Sequence, residues 1–91
     1  MIEKTATVIN RLGMHARPSA MFVSYASRFK SEIYIEKAGI KVNGKSIMGI
    51  MSLAAEKGSE LIISANGEDE KEAIETLAEL VQSGFGELKN L

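Results

Sequence analysis

Four short β-branched runs and two longer amphipathic stretches, in the order β-α-β-β-α-β-α, predict an α+β open-faced β-sandwich: a four-stranded sheet with its helices on one face. Strand-like runs stand at Ile2–Ile9, Glu32–Glu36, Ile40–Val42 and Leu61–Ala65, and helical periodicities follow Ala16 and precede Leu80. Two long helices must cover one side of such a sheet to bury their apolar stripes. A single domain over residues 1–91 is expected, because a chain this short buries only about 60–65% of its unfolded surface and has room for one core.

Each element has a local reason. Ile2 to Ile9 alternates imperfectly but is rich in β-branched residues, which favours a strand, and Asn10 to Gly13 reads as a turn. Between Ala16 and Lys30, apolar residues at Ala20, Phe22, Val23, Ala26 and Phe29 have helical spacing, and Pro18 fits only in a first turn, where its missing N–H is not needed. Glu32–Glu36 and Ile40–Val42 alternate on either side of Lys37-Ala38-Gly39, the pattern of a hairpin. Ser46 is a good N-cap for a short helix from Ile47 to about Leu53 or Glu56, with Gly58 as a left-handed stop. Leu61–Ala65 is a fourth strand, ended by Asn66-Gly67. The acidic run Glu68-Asp69-Glu70 then suits the start of a helix carrying Ala73, Ile74, Leu77, Ala78, Leu80 and Val81. The tail Gly84 to Leu91 is expected to fray.

Composition excludes several functions. The net charge of −1, with basic residues scattered, argues against nucleic-acid binding. There is no cysteine, so disulfides, thiolate chemistry and sulfur-ligated metals are out. No apolar run approaches a membrane span, and Met1-Ile2-Glu3-Lys4 lacks a signal-peptide layout, so a cytoplasmic protein without membrane insertion is expected.

The chain's one histidine, His15, stands in Gly13-Met14-His15-Ala16-Arg17-Pro18, at the predicted helix start. Free N–H groups there, from Ala16 and Arg17, can bind phosphate oxygens, and the Arg17 guanidinium can add a bidentate contact. A charge at a helix end contributes only about 0.3–1 kcal/mol when exposed. Such stabilisation holds a phosphoryl group without trapping it, as a carrier requires. The ordinary reading of a lone histidine in this position is a surface or capping residue.

The run Gly13–Pro18 resembles the active-site signature of the HPr family, the histidine-containing phosphocarriers of the bacterial phosphotransferase system. Lys45-Ser46-Ile47-Met48-Gly49 resembles that family's regulatory-serine segment, at the family's separation, and the likeness spans essentially the whole chain. It implies an antiparallel sheet of order 1-4-2-3, phosphorylation of His15 on the ring nitrogen nearer the backbone, and Arg17 steadying the phosphoryl group. It also implies enzyme I as donor, enzyme IIA proteins as acceptors and, in bacteria that use this control, a kinase/phosphorylase acting on Ser46. The chain is then a substrate of enzymes more than an enzyme, most simply a monomer, with no metal or organic cofactor of its own. The alternative is a non-catalytic regulatory module of the same fold, controlled by Ser46. Family members of that kind lack the histidine, so His15 favours transfer. Leu12-Gly13-Met14 looks like the nitrogen-related branch, whereas Lys45–Leu53 looks like the sugar-system form.

Two further features have competing readings. Met14, Ala20, Ile47, Met48 and Met51 are candidates for a partner-binding patch, since a short helix buries only part of its apolar surface; each methionine can equally fill an irregular gap in a small core. Gly39–Ser46 satisfies GxxxxGK[ST], the spacing of a nucleotide-binding loop. Ile40-Lys41-Val42 alternates as a strand, however, where a phosphate cradle needs a compact loop, so this match is set aside.

Overall fold

The computed structural model describes residues 1–90, with side chains as far as Glu87. Its elements are β1 (Ile2–Thr7), α1 (Ala16–Ala26), β2 (Glu32–Lys37), β3 (Ile40–Asn43), α2 (Ile47–Ser52), β4 (Glu60–Asn66), α3 (Glu70–Gln82) and a terminal 3-10 segment, Gly84–Asn90. The sheet runs β1-β4-β2-β3, and every neighbouring pair is antiparallel. The predicted class and strand order are both present.

Strand alternation sorts the residues between two faces. Ala6 pairs with Leu61, Ile33 with Ala65 and Ile35 with Ile63, and all six are at most 1% exposed. Thr5, paired with Ile62, and Glu36, paired with the same residue, have the opposite parity and lie on the uncovered face. On the covered side α3 crosses β1 and β4, and α1 packs against α2 and α3. Phe22 of α1 is fully buried with Ile50, Leu77 and Val81 in the same core cluster. Truncating a phenylalanine so placed costs about 3–5 kcal/mol.

Several boundaries differ from expectation, each for a long-range reason. β1 stops at Thr7 because the Val8 amide donates to the Ser59 carbonyl and its own carbonyl accepts from Gly58. Helix α1 ends at Ala26, since Arg28 and Phe29 tighten the chain with bonds to Tyr25 and Ala26. Helix α2 ends at Ser52 with Leu53 as its C-cap, and it is Ala54 (φ 49°), not Gly58, that takes the left-handed conformation directly after it. There Lys37 Nζ donates to the Leu53 and Ala54 carbonyls at 3.1 and 3.2 Å, neutralising the helix's negative end. The tail does not fray over Gly84–Glu87: Phe85 is 3% exposed and joins the core. Leu91 lies outside the described residues.

The GxxxxGKS segment is not a phosphate cradle. Ile40–Asn43 is strand β3, the Gly44 amide is bonded to the Ile33 carbonyl, and Lys45 Nζ reaches the Phe29 carbonyl at 2.8 Å.

Candidate functional site

His15 is the N-cap of α1, with extended backbone (φ −73°, ψ −172°) and no side-chain bond to the helix. Gly13 sets this entry. Its φ of +66° is left-handed, and a Cβ there would collide with the Ala55 carbonyl and Glu56, so only glycine lets the loop pass so close to that backbone. The Met14 amide then donates to the Ala55 carbonyl at 2.8 Å, and the Ser19 hydroxyl donates to the Met14 carbonyl at 3.0 Å. His15 is thus presented from a loop tied at both sides, at the start of a helix in which the Ser19 amide donates to the His15 carbonyl.

Pro18 has no N–H to offer, so the donors of this first turn left open among the described residues are the Ala16 and Arg17 amides; both residues are exposed. The Arg17 side chain forms no ion pair among the described residues. The His15 side chain is 35% exposed. Its Nε2 faces the Glu87 carboxylate, 3.1 Å from Oε2 and 3.5 Å from Oε1. Asn10, fully buried, donates through Nδ2 to the Gly13 carbonyl at 2.8 Å and to Glu87 Oε1 at 3.1 Å.

Ser46 caps α2, its hydroxyl oxygen accepting from the Gly49 amide at 3.0 Å. No hydrogen bond joins it to His15 among the described residues. Ile47, Met48 and Met51 are 41, 83 and 42% exposed, and Ala20 is exposed on the adjoining α1. Met14 is the correction: at 4% exposure it belongs to the core and cannot be an exposed member of the patch. Its backbone bond to Ala55 draws it inward, and methionine's flexible chain fills the space beneath the loop.

Sequence reasoning missed Glu87, Asn10 and Leu12. Leu12 is 68% exposed, and an apolar residue between Arg11 and Gly13 in a turn was a readable signal. Glu87 had none, since it sits in a segment without periodicity and meets His15 only through the fold. No three His, Cys, Asp or Glu side chains converge as a metal site among the described residues.

The family model described as the PTS HPr component phosphorylation site matches residues 2–83. Phosphocarrier protein HPr of Neisseria meningitidis is 47% identical over 87 residues, which is 96% of this chain and 98% of that protein. HPr-like protein Crh of Bacillus subtilis is 51% identical over 82 residues, 90% of this chain and 96% of the other. The crystal structure of HPr-C-His from Thermoanaerobacter tengcongensis superposes with a TM-score of 0.91 at 52% identity, covering 94% of this chain and 97% of that one. With its four-stranded 1-4-2-3 sheet and a histidine at the open end of α1, the chain belongs to the HPr family, the phosphocarriers of the phosphotransferase system.

Proposed function

We propose that His15 accepts a phosphoryl group from a phosphohistidine on enzyme I, itself charged by phosphoenolpyruvate, and passes it to a histidine of an enzyme IIA protein. The observation that carries this reading is an imidazole at a helix start where no side chain among the described residues claims the amides. The lone pair of His15 Nδ1 attacks phosphorus in line while the donor's P–N bond breaks, its electrons returning to the donor ring. The Ala16 and Arg17 amides take the equatorial oxygens, and the Arg17 guanidinium compensates charge as transfer proceeds. These stabilisers are few and solvent-facing, so onward transfer stays accessible.

Ile47, Met48, Met51 and Ala20 supply the surface on which donor and acceptor dock. Ser46 is the regulatory position. A phosphoryl group there adds about 1.5–2 negative charges. It leaves the fold intact and reduces transfer by repelling an acidic partner. The second reading, a regulatory module without transfer, draws support from the 51% identity to HPr-like protein Crh. Incubation with enzyme I and phosphoenolpyruvate separates the two: an acid-labile, base-stable adduct that disappears in His15→Ala supports the carrier, and no adduct in the wild-type chain favours the module.

A further inference from the structure

The ring of His15 is gripped from the side opposite its nucleophilic nitrogen by a carboxylate 72 positions away in the chain. An ionised carboxylate can only accept, so the hydrogen in the 3.1 Å contact belongs to Nε2, and in the neutral ring Nδ1 then keeps its lone pair. The carboxylate is itself held. Both groups facing Asn10 Nδ2, the Gly13 carbonyl and Glu87 Oε1, are acceptors, which fixes the orientation of that buried amide. Asn10 therefore ties the loop that carries His15 to the group that holds its ring.

The chain takes an unusual path to deliver Glu87. Phe85 and Gly86 are both left-handed (φ 57° and 76°), which folds the terminal segment back over the site. Phenylalanine seldom adopts this conformation, and its side chain, 3% exposed, is anchored in the core on the way. A strained backbone followed by a carboxylate on the sole histidine is more specific than a frayed end.

We infer that Glu87, braced by Asn10, is a positioning residue for phosphoryl transfer: it selects the Nε2–H form of His15, aims Nδ1 outward and faces the positive charge that the ring gains on phosphorylation. This rests on the reading of His15 as the phosphorylated residue. The step balances without a proton transfer. The Nδ1 lone pair becomes the new N–P bond, the donor's P–N pair leaves with the donor ring, and the Nε2 proton stays in place against Glu87. On onward transfer the pair returns to Nδ1 and the ring is neutral again. The two nitrogens lie on opposite sides of the ring, so the carboxylate faces the cation and not the phosphoryl oxygens.

The test pairs ¹⁵N NMR of the His15 ring with the rate of phosphoryl acceptance from phosphorylated enzyme I. Wild-type protein should show the neutral ring protonated at Nε2. Glu87→Ala should mix the tautomers and slow acceptance by about ten- to a hundredfold, the range for losing a hydrogen bond to a charged group, with the amide spectrum elsewhere unchanged. Glu87→Asp should recover part of the rate, and Glu87→Gln should restore the tautomer more than the rate. Asn10→Ala should move both readouts the same way and add little on top of Glu87→Ala; full additivity removes Asn10 from the device. A Glu87→Ala protein with wild-type tautomer and rate overturns the proposal alone. Absence of any adduct in the wild-type chain overturns the carrier reading and the proposal together.

Discussion

The starts of α1 and α2 are built on opposite terms. Ser46 commits its hydroxyl oxygen to the Gly49 amide, and Gly49 makes room for it, since a Cβ there would lie 3.2 Å from that oxygen. His15 caps α1 with no side-chain bond, and its ring is held from outside the helix by Glu87. A residue whose polar atom already closes a helix is modified at the same atom that makes the cap. A residue whose ring is steadied from elsewhere can gain and lose a group while the helix stays as it was. On the proposed reading, that difference suits reversible traffic at His15 and slower control at Ser46.

The sharpest way to break this contrast is to make the first start like the second. His15→Ser gives α1 a good capping side chain, so stability should hold or rise by up to about 1 kcal/mol. Phosphoryl acceptance should fall at least about a thousandfold, the scale on which removing the attacking group abolishes covalent transfer. Calorimetry and phosphoenolpyruvate-dependent labelling check the two halves. A variant that lost stability would mean that His15 serves the fold as Ser46 does.

Arg17→Ala keeps the cap and removes the exposed cation. Transfer should slow by about ten- to a hundredfold with stability within about 0.5 kcal/mol, because an exposed arginine that forms no ion pair among the described residues contributes little to the fold. Stopped-flow transfer and a thermal melt suffice. Loss of stability without loss of rate would reverse the assignment.

These expectations show which parts of the molecule were legible. The strands and helices followed from alternation at Ile33 and Ile35 and from the stripe Ala73–Val81, because burial on one face leaves a periodic trace. His15, Arg17 and Ser46 were legible as helix-start residues, since Pro18 and Ser46 mark those ends. Glu87 and Asn10 were not, because a contact between the chain's two ends has no period. The tail from Gly84 reads as a frayed end, yet Gly84, Phe85 and Gly86 supply a left-handed return. Met14 was misplaced for a related reason: its neighbour Gly13 decides where it points, through a backbone approach to Ala55 that no pattern announces.

The docking surface proposed next to the second start is tested by Met48→Glu. At 83% exposure the side chain has little to lose on substitution, so stability should stay within about 0.5 kcal/mol. Affinity for enzyme I should fall about tenfold, the equivalent of about 1.4 kcal/mol. Titration calorimetry reads the first-order effect, and an unchanged affinity would move the docking site elsewhere. Ser46→Ala should cost about 1 kcal/mol through the lost cap, lowering Tm by about 4–8 °C while transfer continues.

The start of α3 sharpens the contrast with a third arrangement. Asp69 is its N-cap but makes no cap bond. Its carboxylate reaches across to the Ser31 hydroxyl and to the amides of Lys30 and Ser31, at 2.5, 2.8 and 2.9 Å, pinning the loop between α1 and β2. The Ser31 hydroxyl first, then the Lys30 amide, hold the Asp69 carboxyl below its ordinary value of 3.8. A carboxyl depressed in the folded state stabilises it fully above that ordinary value and loses this contribution as pH falls through the lower, folded-state value. Asp69→Asn, whose amide offers one acceptor oxygen to three donors, should therefore lower Tm at neutral pH, and the deficit should shrink on acidification below 3.8. Melts across the acid range decide it: a gap between variant and wild type that stayed constant down to low pH would show that the loop is held by shape alone, and that this start, like that of α2, carries no charge-dependent tie.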